Sequence, residues 1–460
     1  MTHTAVPQPS PVSRRVARAT LLSALLGFFV ITLDAVVVNV ALPTLGQELD
    51  ASIAGLQWVV DGYTLAFAAL LLSAGALTDR LGAKLAFGWG FSLFVLASLT
   101  CGLAPNLVTL VIARFAQGAG AAVMMPSSMA LIRQAYSDPQ ERVHAIALWA
   151  MGGAVAATSG PVVGGLLVQL DWRWIFLINL PAGLLALALL REVPPSLQRA
   201  APFDGWGQLT AMVAMGALIY GAIDIGSQDI HALTAWLALG IAAIVFPVFV
   251  MLQRRGAHPM VPPAVLQPRN ARIAMVVGFT FMMGYFGLPF VMSLYFQQLR
   301  GMSAAATGLA FVPMMLIGLT LTPFTSRLVQ RFSARTLIVT GLMSMTGGLA
   351  IIALLPASAP VWLTAMTMVL VGLAGPLVAP PVTAVLLNSV PALLTGTASG
   401  VFNTCRQVGG ALAVAVFGAL LVQAPTFMAG LRISLLLGAM VALITALISL
   451  RLQSPADGGH

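Results

Sequence analysis

Fourteen stretches of this chain are apolar for long enough to cross a bilayer as helix, and nothing else in the sequence restricts the fold as much. Spanning about 30 Å of hydrocarbon takes roughly 17 to 25 residues. Runs of that length lie near 19–41, 56–77, 85–103, 107–132, 144–169, 174–190, 207–226, 232–252, 273–297, 304–325, 336–355, 361–386, 398–423 and 431–450. Only 8% of the 460 residues are charged, against about 25% in a soluble domain. The expected fold class is an all-α integral membrane protein.

The formal charge of +9 would suit a nucleic-acid partner if it were clustered on one surface. It is distributed by side instead. With the N-terminus placed in the cytoplasm, seventeen of the 22 Lys and Arg residues fall in or beside inner segments, among them Arg80, Lys84, Arg133, Arg142, Arg191, Arg327, Arg331 and Arg335. Arg173, Arg300 and Arg432 fall outside, and Arg114 and Arg406 lie within spans. The positive-inside rule then sets both termini in the cytoplasm with an even helix count, and no nucleic-acid partner is expected. The opening "SRRVAR" reads as the flank of an uncleaved first span, because removing that span would spoil the charge pattern. Cys101 and Cys405 both fall in spans, so packing is expected of them and not a disulfide.

An internal repeat is visible. "RFAQGAGAAVMMPSSMALI" carries Gly118 and Pro126, and "VLVGLAGPLVAPPVTAVLL" carries Gly372 and Pro380, both pairs separated by the same offset of 254 (372−118 and 380−126). The loops "GALTDRLGAK" and "TPFTSRLVQRFSAR" match less well, with Asp79-Arg80 over Ser326-Arg327 at 247 (326−79). These offsets exceed a six-helix half, and the surplus is the pair of spans at 207–252. The expected organisation is a six-helix bundle over 1–199, two inserted helices with their linkers over 200–258, and a second six-helix bundle over 259–460.

Acids are scarce where they matter. Between His231 and Ala456 there is no Asp or Glu, so the acids within spans are Asp34, Asp61 and Asp224. At about 1.5 Å rise per residue, Asp34, Asp61 and Arg114 are expected at similar depth, roughly 8 to 10 Å below the outer boundary, with Asp224 close enough to its helix end to reach headgroups or water. A charge at such depth costs roughly 2.5 to 3.5 kcal/mol on insertion scales, so it is paired, neutralised or turned to a water-filled cavity. Arg114 keeps its proton and claims one carboxylate. Pairing it with Asp34 leaves Asp61 to carry a proton; the alternative is a fixed, satisfied cluster of all three.

Further candidates follow from helical spacing. Trp58, Asp61 and Leu65 share a face, which places Trp58 at the mouth of a cavity or in the interfacial belt, and Tyr63 points away toward that belt. Arg114, Gln117, Gly118 and Met125 form a second stripe. Asn403, Arg406, Gln407 and Gly410 form a third, either lining a cavity or packing. Asn39, Trp149, Phe286 and Tyr295 complete the expected substrate cavity, in which Met and Phe residues offer a pliable apolar lining. Gly160, Pro161, Gly164 and Gly165 allow close helix approach and a kink. The five histidines are scattered, so no metal site is expected, and no phosphate-binding glycine loop or nucleophile-base set is present. No enzyme and no cofactor is expected; an ion gradient supplies the energy, about 2.3 kcal/mol per proton per 100 mV.

At these residues the sequence resembles the fourteen-helix drug:proton antiporter branch of the major facilitator superfamily, of the methylenomycin-resistance and quaternary-ammonium efflux type. "LDAVVVNVALP" (33–43) is similar to the branch's first-helix signature, "GALTDRLGAK" (75–84) to its loop motif, "LVIARFAQGAG" (110–120) to its basic motif and "SGPVVGG" (159–165) to its antiporter motif. The resemblance implies the major facilitator fold, a cytoplasmic latch at Gly75, Asp79, Arg80, Gly82 and Lys84, proton coupling at Arg114, and an export-favouring bend at Gly160-Pro161. It also implies a monomeric, multi-pass protein of the bacterial inner membrane that exchanges protons for an amphipathic drug, with a cationic drug as one option. A proton-linked transporter of one metabolite, as a self-made antibiotic exporter or a nutrient importer, is the alternative.

Overall fold

In a computed structural model, residues 13–196, 198, 204–227, 232–256 and 258–453 are described. Arg199, His3, His231 and His460, with the expected boundary at 199/200, lie outside those residues. Seven helices come first: α1 (Arg14–Glu48), α2 (Ile53–Leu81), α3 (Ala83–Gly102), α4 (Leu107–Ala135), α5 (Pro139–Leu170), α6 (Trp174–Leu177) and α7 (Asn179–Leu190). A pair follows, α8 (Gly205–Ser227) and α9 (Leu233–Arg255). The remainder are α10 (Pro263–Leu266), α11 (Arg269–Leu294), α12 (Ala304–Leu321), α13 (Thr325–Phe332), α14 (Ala334–Leu354), α15 (Val361–Gly372), α16 (Ala374–Ser389), α17 (Thr395–Gln423) and α18 (Phe427–Ser449).

Helix is the form an isolated apolar run must take in lipid, since it satisfies every backbone group within the segment. Starts are marked by polar caps: the side chains of Ser13, Ser52, Asn106, Ser303 and Thr426 accept from backbone N–H groups of the first turn. Thirteen helices among the described residues are long and apolar enough to span. The run expected as a fourteenth is the shorter Trp174–Leu190, broken at Ile178 between α6 and α7. Two spans are composite: α12 continues through a 3-10 turn at Thr322–Phe324 into α13, and α15 gives way to α16 at Leu373.

Small residues set the helix spacing. A Cβ on Gly118 of α4 would lie 2.2 Å from the Tyr63 carbonyl oxygen of α2, and one on Gly372 of α15 would lie 2.3 Å from that of Met314 in α12. The two repeat glycines therefore hold equivalent crossings. The loop match needs a new register. Gly82 (φ 81°, ψ 143°) and Ser333 (φ 65°, ψ 154°) turn the chain in the same left-handed way ahead of α3 and α14, an offset of 251 (333−82). That alignment sets Arg80 over Arg331 and Lys84 over Arg335, in place of the match at 247.

The N-terminal helices meet the C-terminal ones along α2–α17 and α5–α12, and α1 touches α11 and α12, whereas α4 and α16 are not packed together. Gln297, in the π-helical turn after α11, donates to the Val40 carbonyl of α1 (2.9 Å), so the two groups are joined at the end away from the Arg-rich loops. The inserted helix α8 packs on both α2 and α17.

Candidate functional site

The centre of the N-terminal group is a buried ion pair. Arg114 Nη1 of α4 donates to Asp34 Oδ2 of α1, with side-chain exposures of 1% and 0%. The other oxygen of that carboxylate is bonded as well. Its Oδ1 accepts from Gln117 Nε2 (2.8 Å) and Asn179 Nδ2 (3.0 Å). Ser98 closes the ring by accepting from Gln117 and Asn179 (3.1 and 3.0 Å) and donating to the Phe176 carbonyl (2.9 Å). Arg114 also donates to Gln117 Oε1 (2.8 Å) and, through Nε, to the Val59 carbonyl (2.9 Å). Its guanidinium lies 4.4 Å from the centroid of the Tyr63 ring, whose hydroxyl donates to the Ile31 carbonyl (3.2 Å). Such a network supplies the hydrogen bonds and pairing that a buried charge needs.

Asp61 presents the opposite case. It is fully buried on α2, and neither carboxylate oxygen has a hydrogen-bond partner. One turn earlier, Gln57 donates to the Val414 and Ala415 carbonyls of α17 (2.9 and 2.6 Å), and further along Thr404 of α17 donates to the Ala68 carbonyl (3.4 Å). Asp61 lies between these contacts and one helical turn before Leu65, which clusters with the apolar side chains Ile219, Ile223, Ala411 and Ala415 of α8 and α17. An ionised carboxylate without partners in apolar surroundings is costly, whereas the neutral acid is tolerated.

The structure distributes the other candidates among several places. Trp58 is 6.1 Å, ring to ring, from both Phe115 and Tyr220 and lines an apolar cleft of about 670 Å³ between α2, α4 and α8; Asp61 is not among its lining residues. Tyr63 is buried beneath Arg114, 2% exposed, and so does not belong to an interfacial belt. Asp224 is likewise buried, accepting from Thr234 of α9 (2.5 Å) in place of reaching headgroups. α1 runs seven residues past the apolar run that ends at 41, and α2 begins at Ile53, so Asp61 lies about 12 Å along its helix.

Tyr295 sits at the end of α11, donating to the Ala357 carbonyl (3.1 Å) and accepting from Arg300 (3.1 Å). Trp149 stacks on Phe28 at 4.0 Å, Met125 packs into the apolar cluster of α1 to α4, and Asn39 donates to the Ala35 carbonyl of its own helix (3.3 Å). Phe286 lies beside Gly410, 3.5 Å from where a Cβ would stand. Arg406 donates to Asn403 Oδ1 (3.2 Å) on the same face of α17 as Gln407.

In the loop motif, Asp79 is exposed and Gly75 has open space around it. Lys84 ties the loop down: its backbone N–H donates to Ser196 Oγ (3.1 Å) and its ammonium donates to the Val193 carbonyl; a Cβ on Gly82 would meet the Ser196 carbonyl at 2.9 Å. The loop is thus tied to the segment leading toward α8. On α5, Gly160 and Gly164 pack against Val36 and Val37 of α1, while Gly165 and the Pro161 carbonyl meet Ala304 and Gly308 of α12. Sequence reasoning missed Ser98, Asn179 and Gln57. The first two are polar residues within apolar runs, and hydropathy alone does not single them out as partners of Asp34.

Residues 24–414 match the family model of the Major Facilitator Superfamily. The chain is 36% identical over 411 residues to multidrug resistance protein Stp of Mycobacterium tuberculosis, covering 87% of this chain and 75% of that protein. It is 33% identical to a methylenomycin A resistance protein of Streptomyces coelicolor, covering 93% and 90%, and 34% identical to one of Bacillus subtilis, covering 93% of each. Among solved structures, a peptide transporter POT in complex with sulfate shares the fold, with a TM-score of 0.70 at 17% identity over 95% of this chain and 94% of that one.

Proposed function

Since the chain belongs to the Major Facilitator Superfamily, and is thus a multi-pass transporter of the bacterial cell membrane and not an enzyme, we propose that it exports amphipathic drugs or antibiotics in exchange for protons. The names of its relatives, multidrug resistance and antibiotic resistance proteins, support drug efflux. Proton exchange rests on Asp61: a buried carboxylate with neither oxygen bonded, in a chain whose Asp34 is already held by Arg114, Gln117 and Asn179. Asp61 takes a proton from the outer side and gives it up to the cytoplasm, while Asp34 and Arg114 hold α1, α3, α4 and α7 together. Alternating access through rocking bundles carries the drug the other way.

In this reading both termini are cytoplasmic, the Arg-rich loops face inward, and the bundles at 1–199 and 259–460 rock about the pair at 200–258. The Gln297–Val40 contact then closes the outer end. Drug-susceptibility panels of cells expressing wild type, Asp61→Asn and Asp34→Asn test it. Asp61→Asn should abolish resistance while the protein remains at wild-type level in the membrane. Full resistance in that variant would move the proton role elsewhere.

A further inference from the structure

Arg406 is the one charged side chain on α17, and its surroundings supply no counter-charge. A guanidinium keeps its proton and carries five N–H donors. Nη1 donates to Asn403 Oδ1 (3.2 Å), Nη2 lies 4.0 Å from Met282 Sδ, and Nε is buried without a partner. No Asp or Glu occurs between His231 and Ala456, so the C-terminal helices hold no acid to meet it. Of the acids in the N-terminal spans, Asp34 is bonded to Arg114 and the Asp61 oxygens bond to nothing.

The face of α17 that carries Asn403, Arg406 and Gln407 lies between two packed faces. On one side Thr404, Val414 and Ala415 meet α2. On the other, Phe402, Gly409 and Ala413 meet Gly278, Phe279 and Gly287 of α11. The face between them is therefore turned to the space where the two helix groups meet. Its walls are aromatic: the Phe281 and Phe402 rings lie 5.9 and 5.8 Å from the guanidinium carbon.

We propose that this face binds the acidic group of the substrate, a carboxylate carried on an aromatic body. The planar fork of a guanidinium matches a carboxylate with two parallel hydrogen bonds, and the phenyl walls receive the rings. The proposal rests on the chain being a transporter of amphipathic compounds and adds the sign of the substrate's charge. Exchanging a monoanion for one inward proton moves two positive charges inward per cycle, so the membrane potential drives export along with the pH gradient.

The test is titration calorimetry of 1-naphthylacetate and of its neutral amide, 1-naphthylacetamide, against the purified full chain in nanodiscs at pH 7.5. No ion gradient is present, so the outcome does not depend on Asp61 or on proton coupling. Wild type should bind the acid about tenfold or more tightly than the amide. In Arg406→Gln the two ligands should converge to within about twofold, with amide binding reporting that the variant is folded. Arg406→Lys, a point charge without the fork, should keep part of the preference. Equal affinities in wild type, no binding of the acid at millimolar concentration, or a full preference surviving in Arg406→Gln would each overturn the proposal.

Discussion

Two buried aspartates do opposite things because one has partners and the other has none. Asp34 accepts from three side chains, Arg114, Gln117 and Asn179, and removing it strands a buried guanidinium, a loss of about 3 to 5 kcal/mol in comparable pairs. Asp34→Ala should therefore lower the melting temperature markedly in detergent, whereas Asp61→Asn, which replaces an unbonded carboxyl by a neutral amide of the same shape, should leave it near wild type. A large drop in Asp61→Asn together with a small one in Asp34→Ala would reverse the two roles. The pairing of Asp34 with Arg114 was legible in the sequence because a permanent cation within a span demands an acid and few were on offer. Ser98, Asn179 and the burial of Tyr63 were not, since they depend on how α3, α6 and α7 turn toward α4, which hydropathy does not encode.

At the scale of helices, spacing is governed by glycines whose missing side chains let a neighbouring backbone approach. Gly118→Ala puts a methyl 2.2 Å from the Tyr63 carbonyl oxygen, so α2 and α4 must separate; overpacking of this kind costs about 1 to 3 kcal/mol. Gly347 has nothing within 4 Å of its would-be Cβ, and Gly347→Ala should be neutral or slightly stabilising, as helix propensity favours alanine by up to about 1 kcal/mol. Thermal melts of the two variants side by side check the argument. The positions of thirteen spans could be read from apolar runs alone; the breaks at Ile178 and Leu373 were missed although each is followed three residues on by a proline, Pro181 or Pro376, whose missing N–H leaves the carbonyl at the end of the preceding helix unbonded. The repeat was legible through Gly118 and Gly372. The loop register was missed because Asp79-Arg80 was matched to Ser326-Arg327 on the shared arginine, in place of the residues that share a left-handed turn, Gly82 and Ser333.

For the molecule as a whole, the inserted helix α8 joins the two groups. At one end Gln208 donates to the Ala69 carbonyl of α2 (2.8 Å) and accepts from Ser73. At the other, Gln423 of α17 donates to the Ile225 carbonyl (2.8 Å), and Gly226 packs on Ala419. α8 thereby covers the seam in which Asp61 lies, a function that no count of spans reveals and that explains why Trp58 lines a side cleft. The central claim is that this shielded carboxyl carries the proton that drives export. Proteoliposomes loaded with a dye that the wild type exports separate the chemistry from the binding. Asp61→Asn should still exchange dye for dye across the membrane when no gradient is imposed, yet fail to accumulate it against its gradient when a pH difference is applied. Uphill, pH-driven accumulation by Asp61→Asn at the wild-type rate would contradict the account.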